Sequence, residues 1–207
     1  MDKETTRLEA FSDGVFAIAI TLLILEIRPP ELHEPFGDAT LVTAVLRLWP
    51  SLVAFLFSFF VILVMWINHH ELLRWVRKYD YSLLFANGFV LLMVTFVPFP
   101  TAVLARYLGT DAARAAVAFY CGTFLLVAVA FQALFQAISY RRRLMRHEVP
   151  DVVLARVRRA YMMGPVVYGL STGLAFWNAT VGLVLCASLW LLWARLCYQP
   201  FEHAEKA

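Results

Sequence analysis

Apolar residues fall in six long runs along the chain, separated by short segments that hold most of the charge. Each run is about 17 residues or longer, close to what an α-helix needs to cross a hydrocarbon layer of roughly 30 Å. The pattern predicts an all-α integral membrane protein of six transmembrane helices in one domain spanning 1–207. Helix one is expected at Ala10–Ile27, closed by Pro29 and Pro30, with a polar loop at Glu31–Asp38. Helix two is expected at Leu41–His69 and helix three at Tyr81–Ala105, where Pro98 and Pro100 should bend or end it. Helices four, five and six are expected at Ala112–Ser139, Ala160–Phe176 and Ala179–Tyr198. The fifth is short and carries Gly164, Pro165, Gly169 and Gly173, and the turn at Trp177–Asn178 forces the last two into a hairpin.

Composition sharpens the choice of solvent. The chain is 61% hydrophobic and 16% charged, too little polar sequence to clothe a soluble domain of 207 residues. Lipid must cover much of its exterior. Cys121, Cys186 and Cys197 sit inside apolar stretches without ligand spacing and read as small buried hydrophobes. Asp2, Glu4 and Glu9 precede the first apolar run and no small-residue cleavage site follows it, so no secretory peptide is expected.

Charge then orients the bundle. With the N-terminus inside and six spans, fourteen of the eighteen Lys and Arg fall on the inner side. They are Lys3, Arg7, Arg74, Arg77, Lys78, the seven arginines between Arg141 and Arg159, Arg195 and Lys206. Only Arg28, Arg47, Arg106 and Arg114 fall outside. The bias predicts both termini in the cytoplasm. It also makes residues 141–159 a cytoplasmic loop drawn to anionic headgroups, a better reading of that stretch than a nucleic-acid patch.

Polar residues within the spans are the candidates for function, because an unpaired polar group in hydrocarbon costs several kcal/mol. Ser12 and Asp13 open helix one, Asn68, His69 and His70 close helix two, and Asn87 lies in helix three, with Asn178 between helices five and six. Topology puts Asp13, His69 and Asn87 at one depth. They can form a hydrogen-bonded brace fixing helix one to helices two and three, or Asp13 can act as an ion ligand or proton relay; the brace is the simpler expectation. Adjacent helical positions diverge by about 100°, so His69, His70 and Glu71 do not face one point as metal ligands would, and no metal or cofactor is expected. No nucleophile–base constellation suggests an enzyme.

On helix one, Ile18, Leu22 and Leu25 fall within roughly 60° of each other, while Asp13 points about 140° away and Thr21 borders the stripe at about 60°. Periodicity alone leaves open whether that stripe meets lipid, protein or something else.

The segment Arg7-Leu-Glu-Ala-Phe11-Ser12-Asp13 resembles the signature of the transmembrane protein 175 family of potassium channels: Arg, three residues, then Phe-Ser-Asp at the start of helix one. Trp66-Ile-Asn68-His69-His70 and Asn87 followed by Pro98-Phe99-Pro100-Thr101 are similar to that family's prokaryotic members. The resemblance covers most of residues 5–105. It implies a homotetramer of six-helix subunits, helix one of each lining a central pore for potassium ions; a single repeat with no targeting segment suggests a prokaryotic plasma membrane. By position, Ile18 matches the narrowest hydrophobic ring, Leu22 and Leu25 continue the path, Thr21 matches a hydroxyl layer implicated in selectivity, and Arg7 sits at the cytoplasmic mouth. The expected activity is passive, potassium-preferring conduction gated by wetting of the hydrophobic ring. The alternative is a proton- or cation-coupled secondary transporter using Asp13 and the helix-two histidines. A carrier usually places its binding groups near the midplane, where helix one is wholly aliphatic.

Overall fold

The computed structural model describes residues 3–31, 37–145 and 149–198. Asp2, most of the loop expected at Glu31–Asp38, Arg146 and Lys206 lie outside the described residues, as do the side chains of Arg195 and Cys197. Among the described residues the regular elements are all helical: α1 (Lys3–Leu22), α2 (Asp38–Leu46), α3 (Trp49–Arg74), α4 (Tyr81–Phe96), α5 (Pro98–Tyr107), α6 (Ala113–Ser139), α7 (Asp151–Trp177) and α8 (Ala179–Tyr198). Four stretches are long and apolar enough to cross a membrane: Thr5–Glu26, Trp49–Arg74, Tyr81–Tyr107 and Ala113–Ser139.

Several expected boundaries move, for identifiable reasons. Helix one starts at Lys3 rather than Ala10, because a helix needs backbone bonds and not apolar side chains beyond the membrane edge, and it tightens into a 3₁₀ turn over Leu23–Glu26. The single helix expected at Leu41–His69 is two. Pro50 has no N–H for the Leu46 carbonyl, so the ladder breaks at Arg47–Leu48 and α3 begins afresh, running on to Arg74. Pro98 likewise separates α4 from α5, and Thr101 Oγ1 returns a bond to the Val97 carbonyl at 2.8 Å. The helix expected from Ala160 begins at Asp151, directly after Pro150, and so takes in Arg156, Arg158 and Arg159 from the expected loop. Pro165 is carried inside it.

α6 is the central post. Val117, Cys121, Ala130, Leu134 and Ile138 on it are fully buried against α4, α7 and α8. α7 and α8 fold into a hairpin whose turn is held by Asn178, which accepts from the Val181 N–H at 3.1 Å. The two helices then approach so closely that a Cβ on Gly182 would lie 2.6 Å from Ala175 Cβ and 2.7 Å from its Cα. At the other end, the α3–α4 and α6–α7 connections are zipped together. Val76 and Met145 form an isolated bridge, and the Arg77 N–H donates to the Leu144 carbonyl at 2.8 Å. Arg143 donates to Asp80, the residue that caps α4 by accepting from the Leu83 N–H, and Arg142 pairs with Asp151 in the first turn of α7. α1 leans on α3 and α4 at the flank of this assembly.

Candidate functional site

The two faces of α1 have different surroundings. On the inward face Ser12, Phe16 and Ala19 are buried against α3 and α4, and Leu23 in the 3₁₀ turn that follows is buried where the turn meets α3 and α5. Ser12 Oγ donates to the Leu8 carbonyl one turn back at 2.9 Å and accepts from Asn87 Nδ2 at 3.1 Å. Asn87 Oδ1 in turn accepts from His69 Nε2 at 2.6 Å, which fixes the proton of that imidazole on Nε2. The chain Ser12–Asn87–His69 therefore ties α1, α4 and α3 through three buried side chains. Asp13 uses a separate contact: its carboxylate accepts from Trp66 Nε1 at 2.8 Å. Phe16 packs on the His69 ring at 5.1 Å, and His70 stacks on Trp66 at 5.9 Å.

The adjacent polar residues of α3 thus divide by direction. His69 faces α4 and His70 lies over Trp66. Asn68, one of the polar candidates of helix two, takes no part in the brace: its amide donates to the Val64 carbonyl of its own helix at 2.8 Å. Its side chain instead lines a small apolar cavity of about 40 Å³ with Tyr161, Tyr168 and Trp193. The physical reason is the 100° step, which turns Asn68 away from α1 when His69 and Trp66 face it and α4.

The other face of α1 is uncovered within the subunit. Phe11, Ile18, Leu22 and Leu25 are 64%, 60%, 43% and 67% exposed, and Gly14, Ala17 and Thr21 share that face. The 3₁₀ turn keeps Leu25 over Leu22, because side chains three apart eclipse at three residues per turn. Thr21 Oγ1 is satisfied by its own helix, donating to the Ala17 or Ile18 carbonyl at 2.9 Å, so its hydroxyl oxygen stays outward. Arg7 is exposed on the same helix one turn before Phe11.

A second buried polar cluster escaped the sequence. Ser58 Oγ on α3 lies 2.7 Å from Thr101 Oγ1 on α5 and 3.0 Å from Tyr120 Oη on α6. Ser171 on α7 donates to the Gly182 carbonyl at 2.7 Å beside Cys121 and Cys186. A lone Ser or Thr in an apolar helix commonly bonds its own carbonyl four residues back, so none stands out. The signal that could have found the first cluster is three hydroxyl-bearing residues reaching one depth on three helices.

Comparison with known proteins now has a geometry to attach to. The profile of the family described as "Endosomal/lysosomal potassium channel TMEM175" matches residues 7–98, which hold both the uncovered face of α1 and the whole brace. A potassium channel of Chamaesiphon minutus is 43% identical over 191 residues, covering 92% of this chain and 94% of its own. A potassium channel of Streptomyces collinus is 43% identical over 181 residues, covering 87% and 86%. The crystal structure of a lysosomal potassium-selective channel TMEM175 homolog from Chamaesiphon minutus superposes with a TM-score of 0.84 at 42% identity, covering 95% of this chain and all of that one.

Proposed function

The chain belongs to the TMEM175 family, and from that premise we propose that it is a passive, potassium-preferring cation channel whose pore is lined by α1 of several identical subunits. The observation that carries the reading is the asymmetry of α1. One face is tied by hydrogen bonds to α3 and α4, while the other presents Ile18, Leu22 and Leu25 with no covering element of its own subunit. Around a symmetry axis, copies of Ile18 make a hydrophobic ring that excludes water when tight and conducts when it dilates. Thr21 offers a hydroxyl oxygen at the next layer, and Gly14 and Ala17 leave room for neighbouring copies of α1. A homotetramer is the assembly we favour, by likeness to the family.

Six spans are counted by taking α3 as one crossing and α4 with α5 as another, and adding α7 and α8 to the four long apolar stretches. The arginines of the α3–α4 and α6–α7 connections gather at one end with the start of α1, which supports both termini on the cytoplasmic side, and the Chamaesiphon and Streptomyces relatives favour a prokaryotic plasma membrane. The coupled carrier is disfavoured by its relatives, which are named as channels.

Reconstituting the purified protein in liposomes and following potassium against sodium flux tests the proposal. Uncoupled potassium flux is expected in the wild type, rising roughly tenfold or more in Ile18→Asn as the ring becomes wettable. Saturating flux that requires a proton gradient, or no response to Ile18→Asn, would overturn it.

A further inference from the structure

α7 carries a feature that the conduction pathway does not use. Val152, Arg156, Arg159, Met163 and Val167 recur every three or four residues and form one stripe of the helix. That stripe is one wall of a groove of about 420 Å³, closed on the other side by Leu189 and Trp193 of α8 and floored by Gly164. The groove is apolar along its length and cationic at one end, where Arg156 and Arg159 are both exposed. Gly164 keeps the floor low, since a Cβ there would lie 3.0 Å from Trp193 Cζ2.

The arginines of this end of the bundle are not equivalent. Arg142 and Arg143 are engaged by Asp151 and Asp80. Among the described residues, Arg156 and Arg159 take part in no ion pair. They lie at the end of the bundle where the α3–α4 and α6–α7 connections meet, the level of a headgroup layer, while Met163 and Val167 descend into the span.

We propose that the α7–α8 groove is a binding site for an anionic glycerophospholipid, with the phosphate held between Arg156 and Arg159 and one acyl chain lying over Met163, Gly164 and Val167 against Leu189 and Trp193. Charge complementarity selects the anion: two guanidiniums on successive turns, about 5–6 Å apart at Cβ, can bracket a phosphodiester. The apolar floor selects a lipid over a free phosphate, because only a chain uses the remainder of the groove. The site is separate from the proposed conduction path, since no residue of α1 contributes to it.

The test uses the full-length protein in phosphatidylcholine nanodiscs doped with spin-labelled phosphatidylglycerol. Wild type should immobilise the labelled lipid in preference to labelled phosphatidylcholine. Arg156→Gln with Arg159→Gln should lower that preference about tenfold, and Met163→Trp, which fills the groove without touching charge, should lower it severalfold. Arg158→Gln, on the neighbouring face, should leave it unchanged. An equal loss in Arg158→Gln would show a diffuse surface attraction and overturn the site. So would the absence of any preference in wild type, an unaffected Met163→Trp, or a changed subunit number in these variants, which would assign the groove to a second copy of the chain.

Discussion

α1 and α6 are nearly equal in hydropathy and both long enough to cross a membrane, yet they occupy opposite kinds of place. Only 22% of the most apolar window of α1 is buried within the subunit, against 61% for α6. α6 is enclosed by neighbours over much of its circumference, whereas α1 is held by one face through a few side chains with polar ends. In water such an exposed aliphatic helix would be unstable. In lipid the exposed face carries no penalty, so it is available for contact between subunits, and a polar brace fixes which way it points. A helix that lines a pore, the role proposed for α1, needs rotational definition more than burial. Ser12–Asn87–His69 and Asp13–Trp66 supply it at two points on the helix surface.

The contrast can be tested by substitution, each variant read by SDS-titrated unfolding in bicelles. Leu134→Ala in the middle of α6 should cost the most, about 2–4 kcal/mol, because the cavity left behind is felt even where the transfer to water is not. Gly182→Ala should follow at about 1–3 kcal/mol, since the new methyl meets Ala175 backbone and must splay the α7–α8 hairpin. If Gly182→Ala proved neutral, the packing of that hairpin would be looser than described. Asn87→Ala breaks two brace bonds and leaves His69 without a hydrogen-bond partner, while Ser12 keeps its bond to the Leu8 carbonyl, at about 1–2 kcal/mol. Its distinguishing consequence is in α1: cysteines placed at Ile18 should lose their fixed orientation and cross-link less selectively, while α6 is untouched. Leu25→Ala should do least to the subunit, within about 0.5 kcal/mol. A cost for Leu25→Ala near that of Leu134→Ala would erase the distinction between the two helices.

Much of the element pattern was legible because its signals are local. Apolar runs located the long helices, Pro98 marked a real break, and Trp177–Asn178 marked the hairpin. Pro50 carries the same message about helix two, but the run around it is apolar on both sides and hides the break. The start of α7 is hidden for the converse reason. Arg156, Arg158 and Arg159 look like a loop to a membrane scale, but a helix leaving the bilayer keeps its backbone bonds whatever its side chains. In the candidate site, the common depth of Asp13, His69 and Asn87 was readable from the span boundaries. The pairing was not: Asp13 meets Trp66, Ser12 meets Asn87, and Asn68 faces a cavity on the far side of α3.

By itself, then, the sequence determined the solvent, the long apolar runs that become helices and the end of the bundle that gathers positive charge. Tertiary structure alone decided which face of each helix meets protein. The reason lies in the solvent: to a leucine, hydrocarbon and a neighbouring helix are nearly the same medium, so hydropathy carries no direction around the axis. Shape and hydrogen-bond reach choose it, through contacts such as Gly182 against Ala175 and Trp66 against Asp13, and those depend on residues far apart in the chain.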